Sequence, residues 1–183
     1  MRFAQTPLPG AWVIEQEDLS DERGWFARSF DADEFEARGL DPAVVQCNLS
    51  FNARAGTLRG MHYQAEPHGE SKLVRCLRGA IYDVALDLRA GSPTRGRWHA
   101  LELSEENRLA IYMPAGLAHG FQTLTDNCEV LYQMGHRYVP EAARGVRWND
   151  PAFAIQWPEL NGERVISEKD SSYPDFEFSA DWP

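Results

Sequence analysis

Short β-rich segments dominate the chain between residues 44 and 134, and no stretch between them has the length or periodicity of a helix. Turn-forming residues such as Arg78-Gly79 and Thr125-Asp126-Asn127 separate neighbouring segments. Many short strands divided by turns are typical of a sandwich or a barrel, so we expect an all-β fold. The segments are VVQCNLSFN, TLRGMHYQ, SKLVRCLRG, AIYDVALDLR, RWHALELS, RLAIYMP, AHGFQTLT and CEVLYQM.

The residues before this series predict two strands and one helix. Residues 10–30 hold a short apolar run, an acidic turn with glycine and then aromatic residues, which favours strand, loop and strand. Residues 33–38 predict a short helix, with Asp31 or Asp33 as its N-cap and Gly39 as the residue that ends it.

The length of 183 residues suits one domain with a hydrophobic core, and we expect residues 1–183 to form a single domain. After residue 139 the sequence becomes rich in proline, acidic and aromatic residues. We expect residues 139–183 to form loops with one short helix, packed against the barrel through Trp148 and Trp157.

Charge and cysteine content exclude several classes of protein. The formal net charge is −10, which argues against nucleic acid as a partner and requires a local basic patch for any phosphate-bearing ligand. Cys47, Cys76 and Cys128 are widely spaced and form neither a disulfide framework nor a zinc knuckle. No apolar run approaches the roughly 20 residues of a membrane span, and the first residues lack a signal-peptide core. We expect a cytoplasmic protein with no membrane partner.

Polar residues interrupt two of the predicted strands. In the segment IYDVALDLR, Asp83 and Asp87 share one face with Ile81 and Ala85. That face is either solvated or lines a polar barrel interior in which another polar group meets Asp83, and strand periodicity does not decide between the two. Lys72 has apolar strand neighbours, so it marks a sheet edge or points into a site.

His62, in the segment GTLRGMHYQ, has three possible roles: metal ligand, hydrogen-bonded core residue or base. Metal-binding barrels of the cupin type supply three or four ligands, which commonly include an H-x-H pair. His62 lacks the second histidine of such a pair, His119 stands where a later ligand would be, and His68 and His99 fall in apparent loop or exposed positions. Two ligands do not make a metal site, so we expect none.

The polar residues together suit proton abstraction beside a ketone. Such an enzyme needs a base with a pKa near neutral, which histidine supplies as His62, and a fixed positive charge at the enolate oxygen, which Lys72 supplies. A tyrosine such as Tyr132 can then return a proton on the opposite face. The second nitrogen of the histidine requires a carboxylate, for which Asp170 and Asp83 are both candidates.

These residues lie in motifs that cover nearly the whole chain. The sequence resembles the dTDP-4-dehydrorhamnose 3,5-epimerase family of nucleotide-sugar epimerases. The resemblance implies a cupin-like jelly-roll barrel or β-sandwich with a few short helices, without metal or other cofactor. It also implies a dTDP-linked 4-keto-6-deoxyhexose substrate, inverted at C3, C5 or both, and a homodimer in which strands within residues 1–50 are exchanged. The matching segments are DERGWFARSF, VQCNLSFN, GTLRGMHYQ, SKLVRCLRGAIYDVALDLRAGSPTRGRW, LSEEN, MPAGLAHGF, EVLYQM, RGVRWNDP, IQWP and SEKD.

The resemblance also implies a role for each site residue. His62 is the general base with Asp170 as its partner, Tyr132 is the acid on the opposite face, and Lys72 stabilises the enolate at the C4 oxygen. The implied substrate-binding residues are Arg59 at the diphosphate, His119 held by Asp83, Tyr138 near the sugar, and Arg23, Phe26, Gln46 and Asn48 at the nucleotide, partly across a subunit boundary.

Two departures from the family pattern bear on specificity. Arg28 stands where the family commonly has an acid, and residues 134–136, Met-Gly-His, replace the usual small or hydroxyl residues. The Arg28 departure leaves the nucleotide contacts open, and the departure at residues 134–136 leaves open the sugar and the number of inverted carbons. Two alternative functions also remain at this point: a metal-dependent cupin oxygenase or isomerase, and a sugar-nucleotide binding protein without turnover.

Overall fold

Two β-sheets face each other in the computed structural model, which describes residues 1–159 and 162–178. The first sheet has the strand order β1-β2-β10-β7-β12-β5, and all its neighbouring strands are antiparallel. β5 lies at one edge of this sheet, beside β12. Its strands are β1 (Arg2–Gln5), β2 (Trp12–Glu15), β5 (Gln46–Asn52), β7 (Lys72–Arg78), β10 (Ala110–Met113) and β12 (Cys128–Met134).

The second sheet has the order β13-β6-β11-β8-β9, and a short strand, β14, pairs with β6 in parallel. His99 lies in β9 of this sheet and is partly buried, so its expected loop or exposed position is corrected: the strand begins one residue before it. The strands are β6 (Thr57–Gln64), β8 (Ala80–Asp87), β9 (Trp98–Ser104), β11 (Leu117–Thr123), β13 (Ala143–Gly145) and β14 (Val165–Ile166).

The helices in the described part of the chain are short. The predicted first helix is confirmed as α1 (Ala32–Glu36), where the Asp31 side chain caps the backbone N–H groups of Asp33 and Glu34. Gly39, at φ +70°, accommodates the turn that follows. The other helical segments are a 3₁₀ turn (Pro140–Ala142) and α2 (Glu168–Ser171). Every described helix falls short of the length and apolar character that a membrane crossing requires.

A hairpin of two short strands, β3 (Leu19–Asp21) and β4 (Gly24–Phe26), stands apart from both sheets. The prediction for residues 10–30 is confirmed in outline, because β2 is followed by a loop and then by strand structure. All six residues of the hairpin strands are exposed.

Apolar side chains fill the space between the sheets. Val74 and Ile111 from the first sheet pack with Ile81, Ala85 and Phe121 from the second. Each large side chain buried in this way stabilises the fold by roughly 1.5–3 kcal/mol. The predicted all-β class is therefore confirmed, with the core between two facing layers.

Each sheet also has a covered outer face. Phe35 of α1 packs edge-on against Tyr112, with ring centroids 5.5 Å apart, and covers part of the first sheet. On the second sheet, Phe153, Ile155 and Trp157 pack on the outward side chains of β6 and β8. Trp157 therefore lies against the second sheet, and its indole N–H donates a hydrogen bond to the Trp148 carbonyl oxygen.

Candidate active site

A cavity of about 300 Å³ opens between the two sheets, and most of the predicted site residues line it. The second sheet contributes side chains from β6 and β11, and the first sheet contributes side chains from β5, β7 and β12. Groups from opposite sheets therefore face one another across the cavity. The lining residues are Gln46, Asn48, Leu49, Ser50, Arg59, His62, Glu70, Lys72, His119, Phe121, Tyr132, Met134 and Tyr138.

His62 is paired with Asp170, one of its two candidate carboxylates. The imidazole Nε2 lies 2.7 Å from Asp170 Oδ1, and the Gly60 backbone N–H donates to the other carboxylate oxygen at 3.2 Å. Burial raises the pKa of the Asp170 carboxyl, but the hydrogen bond with His62, its charge and the hydrogen bonds from Gly60 and Ser167 outweigh burial and hold the pKa below its usual value. An ionised Asp170 keeps the proton on Nε2, so Nδ1 is the nitrogen free to act as a base.

A bulge in β6 aims His62 at the cavity. His119 pairs with His62 and the next pair is Phe121 with Arg59, so that between these pairs two residues of β6 oppose one of β11. Gly60 lies within this bulge at φ +116°, and a Cβ there would lie 2.5 Å from the Gly120 Cα atom. Only glycine fits at this position, which explains why Gly60 precedes Met61 and His62.

Lys72 lies at the start of β7, and its side chain lines the cavity. Of the two predicted alternatives, the lysine therefore points into a site and does not mark a sheet edge. Its Nζ donates to the His62 carbonyl oxygen at 3.0 Å and lies 3.1 Å from Glu70 Oε1. Both charged side chains are buried, at 6% and 8% exposed. An ammonium has three donors, so one is left for a ligand.

Tyr132 enters the cavity from β12, on the sheet opposite His62. Burial raises the pKa of the Tyr132 phenol to about 12, although a hydrogen bond with Ser50 and the charge of Arg59 lower it. The phenol is therefore protonated at neutral pH, as an acid requires. Its ring lies 6.0 Å from the His119 ring, centroid to centroid.

Arg59 gives the cavity a basic group. Its Nε donates to Asn52 Oδ1 at 2.7 Å, and in the described residues its terminal nitrogens have no protein partner. Two free NH₂ groups of a guanidinium match the oxygens of a phosphate.

The second histidine of the cavity, His119, is held by Asp83. Its Nε2 lies 2.8 Å from Asp83 Oδ2, and both residues are buried. The polar face of β8 is thus an interior face, and the solvated alternative for Asp83 is wrong because the buried imidazole pairs with its carboxylate. Asp87, on the same face, is buried as well and accepts hydrogen bonds from Arg89, Ser92 and Thr94.

Arg23 and Phe26 do not line the cavity of their own chain. They lie on the β3–β4 hairpin, around a separate surface hollow. The Arg23 guanidinium pairs with Asp21, and Arg28 pairs with Asp31 beside α1.

Five lining residues were not among the predicted site residues: Leu49, Ser50, Glu70, Phe121 and Met134. Ser50 shares the alternation of Gln46 and Asn48 along β5, and this period of two was a signal that could have identified it. Among the described residues, no three His, Cys, Asp or Glu side chains are arranged to hold a metal ion.

Comparisons with known proteins identify the family of this chain. The sequence profile described as dTDP-4-dehydrorhamnose 3,5-epimerase matches residues 5–177. The dTDP-4-dehydrorhamnose 3,5-epimerase of Methanothermobacter thermautotrophicus is 47% identical over 174 residues, which cover 94% of this chain and 92% of that protein.

Solved structures agree as well. The crystal structure of dTDP-4-dehydrorhamnose 3,5-epimerase from Elizabethkingia anophelis has a TM-score of 0.93 at 39% identity, over 96% of each chain. The RmlC epimerase of Legionella pneumophila, in complex with dTDP-4-keto-L-rhamnose, has a TM-score of 0.85 at 39% identity, over 92% of this chain and 89% of that one. The chain is a carbohydrate epimerase and belongs to the dTDP-4-dehydrorhamnose 3,5-epimerase family.

Proposed function

We propose that this chain inverts C3 and C5 of a dTDP-4-keto-6-deoxyhexose through enolate intermediates, with His62 as base and Tyr132 as acid. One observation carries the proposal. His62, backed by an ionised carboxylate, and Tyr132, a protonated phenol, line the same cavity from opposite sheets. Removal of a proton from one face and its return to the other inverts a carbon.

In the first step, His62 Nδ1 takes a proton from the carbon beside the C4 ketone. The C–H bond breaks, and its electron pair moves into the enolate. Asp170 stabilises the imidazolium that forms and fixes the ring orientation through Nε2. A general base in this position typically supplies 10²- to 10⁴-fold in rate.

Lys72 lies where the developing negative charge needs a donor. Two of its N–H groups are occupied by the His62 carbonyl and by Glu70, and the third donates to the C4 oxygen. A buried ammonium stabilises an enolate strongly because little water screens it.

In the second step, the enolate carbon takes the Tyr132 proton and the ketone re-forms. The phenol O–H bond breaks, a C–H bond forms on the face opposite His62, and Tyr132 is left as a phenolate. His62 then releases its proton to solvent and Tyr132 takes one from solvent, so that both groups are ready to act on the second carbon.

Arg59 is the proposed contact for the diphosphate, because no described residue occupies its terminal nitrogens and the protein as a whole is acidic. Gln46, Asn48 and Tyr138 line the cavity and are proposed to contact the nucleotide or the sugar. The dTDP carrier is supported by the Legionella pneumophila relative, which was solved with dTDP-4-keto-L-rhamnose.

Proton exchange tests the reaction. In deuterated buffer with dTDP-4-keto-6-deoxyglucose, NMR is expected to show deuterium at both C3 and C5 of the product. Deuterium at one carbon alone would restrict the activity to a single inversion, and its absence from both would refute the proposal.

We also propose a homodimer in which the β3–β4 hairpin of one copy closes the cavity of the other. Leu19 and Phe26 on the hairpin are each 71% exposed, and Leu49 on the edge strand β5 is 69% exposed. Side chains of this kind are usually covered by a partner. Arg23 and Phe26 would then reach the substrate of the second copy.

Subunit complementation tests this arrangement. The double variant Arg23→Ala/Phe26→Ala lacks the hairpin contacts, and His62→Ala lacks the base. After the two inactive proteins exchange subunits in equal amounts, about a quarter of wild-type activity is expected, since half of the dimers are hybrids with one complete site. No recovery in a mixture shown to contain hybrids would contradict the proposal.

A further inference from the structure

A hydrogen-bonded chain of side chains runs along one wall of the cavity and ends at the Tyr132 phenol. It begins at Arg59, whose Nε donates to Asn52 Oδ1 at 2.7 Å. Asn52 Nδ2 then lies 3.3 Å from Ser50 Oγ, and Ser50 Oγ lies 3.2 Å from Tyr132 OH. Asn52 is buried, at 2% exposed, and the other three side chains line the cavity.

The chemistry of the end groups sets the direction of the first two hydrogen bonds in this chain. A guanidinium only donates, so the Asn52 atom that faces Arg59 is the carbonyl oxygen. The backbone carbonyl of Cys128, 3.4 Å from the other amide atom, only accepts, so that atom is the NH₂ group. Asn52 therefore donates to Ser50 Oγ, and the Ser50 hydrogen is free for Tyr132.

We propose that Ser50, oriented by Asn52 and Arg59, is a positioning residue that donates its hydroxyl hydrogen to the Tyr132 oxygen. With Ser50 as the donor, the phenol hydrogen turns away from β5 and points into the cavity. This inference rests on the proposed function, in which Tyr132 protonates the enolate carbon.

The same chain stabilises the product of the acid step. When the Tyr132 O–H bond breaks and the new C–H bond forms, the electron pair stays on the phenol oxygen. The Ser50 hydrogen bond then becomes charge-assisted, and the guanidinium at the far end polarises the chain in the favourable direction. Since burial raises the pKa of this phenol to about 12, its anion needs such donors. The hydrogen bonds from Arg59 to Tyr132 do not stabilise the transition state of proton abstraction by His62.

Three variants separate these effects. Ser50→Ala removes the donor, whereas Ser50→Thr keeps a hydroxyl at the same position. Asn52→Asp keeps the shape of the side chain, but both of its oxygens accept hydrogen bonds. The aspartate therefore accepts the Ser50 hydrogen, which reverses the hydrogen bond between residues 52 and 50. The Ser50 oxygen would then accept the phenol hydrogen and withdraw it from the substrate.

The measured quantity is a partition ratio in deuterated buffer with dTDP-4-keto-6-deoxyglucose: deuterium in recovered substrate divided by epimerised product, at early times. Ser50→Ala and Asn52→Asp are each expected to raise this ratio about tenfold, as expected for the loss of one hydrogen bond to a charged group. Ser50→Thr is expected to keep the ratio near the wild-type value.

A purely structural role for Ser50 would lower exchange and product formation together. An unchanged ratio in Ser50→Ala and Asn52→Asp, in a wild-type background that exchanges normally, would overturn this inference alone. Absence of exchange at C3 and C5 in the wild-type protein would instead refute the proposed function.

Discussion

The two histidine–aspartate pairs of this chain have the same chemistry and different surroundings. His62 and His119 are cross-strand partners on β6 and β11, and each directs Nε2 at a carboxylate oxygen, at 2.7 and 2.8 Å. The His62 side chain is 42% exposed to the cavity, whereas the His119 side chain is 5% exposed and its Asp83 partner is fully buried.

The difference lies in what each imidazole can reach. His62 has a free nitrogen at an open cavity and a carboxylate behind it, so it can take up a proton from a substrate and release it to solvent. His119 is packed between Phe121 and Tyr132, with ring centroids 6.3 and 6.0 Å away, and supports the cavity wall. Burial, and not the identity of the pair, therefore distinguishes the proposed base His62 from His119.

The largest expected effect is on turnover at the exposed pair. His62→Ala is expected to lower kcat by about 10³-fold or more, because it removes the general base, with little change in thermal stability. Steady-state kinetics and thermal unfolding measure the two quantities.

His119→Ala is the matched control for this prediction. It is expected to lower the free energy of unfolding by about 2–4 kcal/mol, because a large buried side chain is lost and the Asp83 carboxylate is left without its partner. A larger loss of kcat in folded His119→Ala than in His62→Ala would reverse the assignment of the two histidines.

The next largest effect on turnover is expected at the carboxylate that pairs with His62. Asp170→Asn is expected to lower kcat by about 10²-fold, because the amide no longer holds the proton on His62 Nε2 and the Nδ1 base is lost. Substrate affinity, measured with an unreactive dTDP-sugar in a calorimeter, is expected to stay near the wild-type value. A parallel loss of affinity would point to a structural defect in the cavity.

Asp83→Asn is expected to act in the opposite way, on stability more than on rate. The variant weakens a buried hydrogen bond to His119, which costs about 1–3 kcal/mol in the free energy of unfolding. Urea unfolding measures this cost, and kcat of the folded variant is expected to keep its order of magnitude. Loss of turnover without loss of stability would assign Asp83 to the chemistry.

The sequence predicted which carboxylates were candidates for the two pairs, but it did not predict which carboxylate pairs with which histidine. The reason is physical. Alternation along β8 placed Asp83 and Asp87 on one face, but period two does not tell which face is wet. Asp170 lies 108 residues from His62, so nothing in the local pattern chose it over Asp83. The family resemblance chose Asp170, and the contact with His62 agrees with that choice.

Site residues on regular strands were the easiest to predict. Gln46, Asn48 and Tyr132 lie on alternating positions of β5 and β12, and the strand geometry brings them to one cavity. Arg23 and Phe26 are harder to place, because in this structure they line a different hollow from the one that holds His62.

The smallest expected effect is the acid dependence of stability at the exposed pair. The folded-state pKa of Asp170 lies below its usual value of 3.8, so this carboxylate stabilises the fold above that pH, and the contribution is lost as the pH falls through the folded-state pKa. The difference in free energy of unfolding between the wild-type protein and Asp170→Asn should therefore be constant near neutral pH and shrink below about pH 4. Because His62 is partly exposed, the difference should stay smaller than the cost of Asp83→Asn. Urea unfolding across this pH range measures it, and a difference that grew on acidification would show that Asp170 is not ionised in the folded protein.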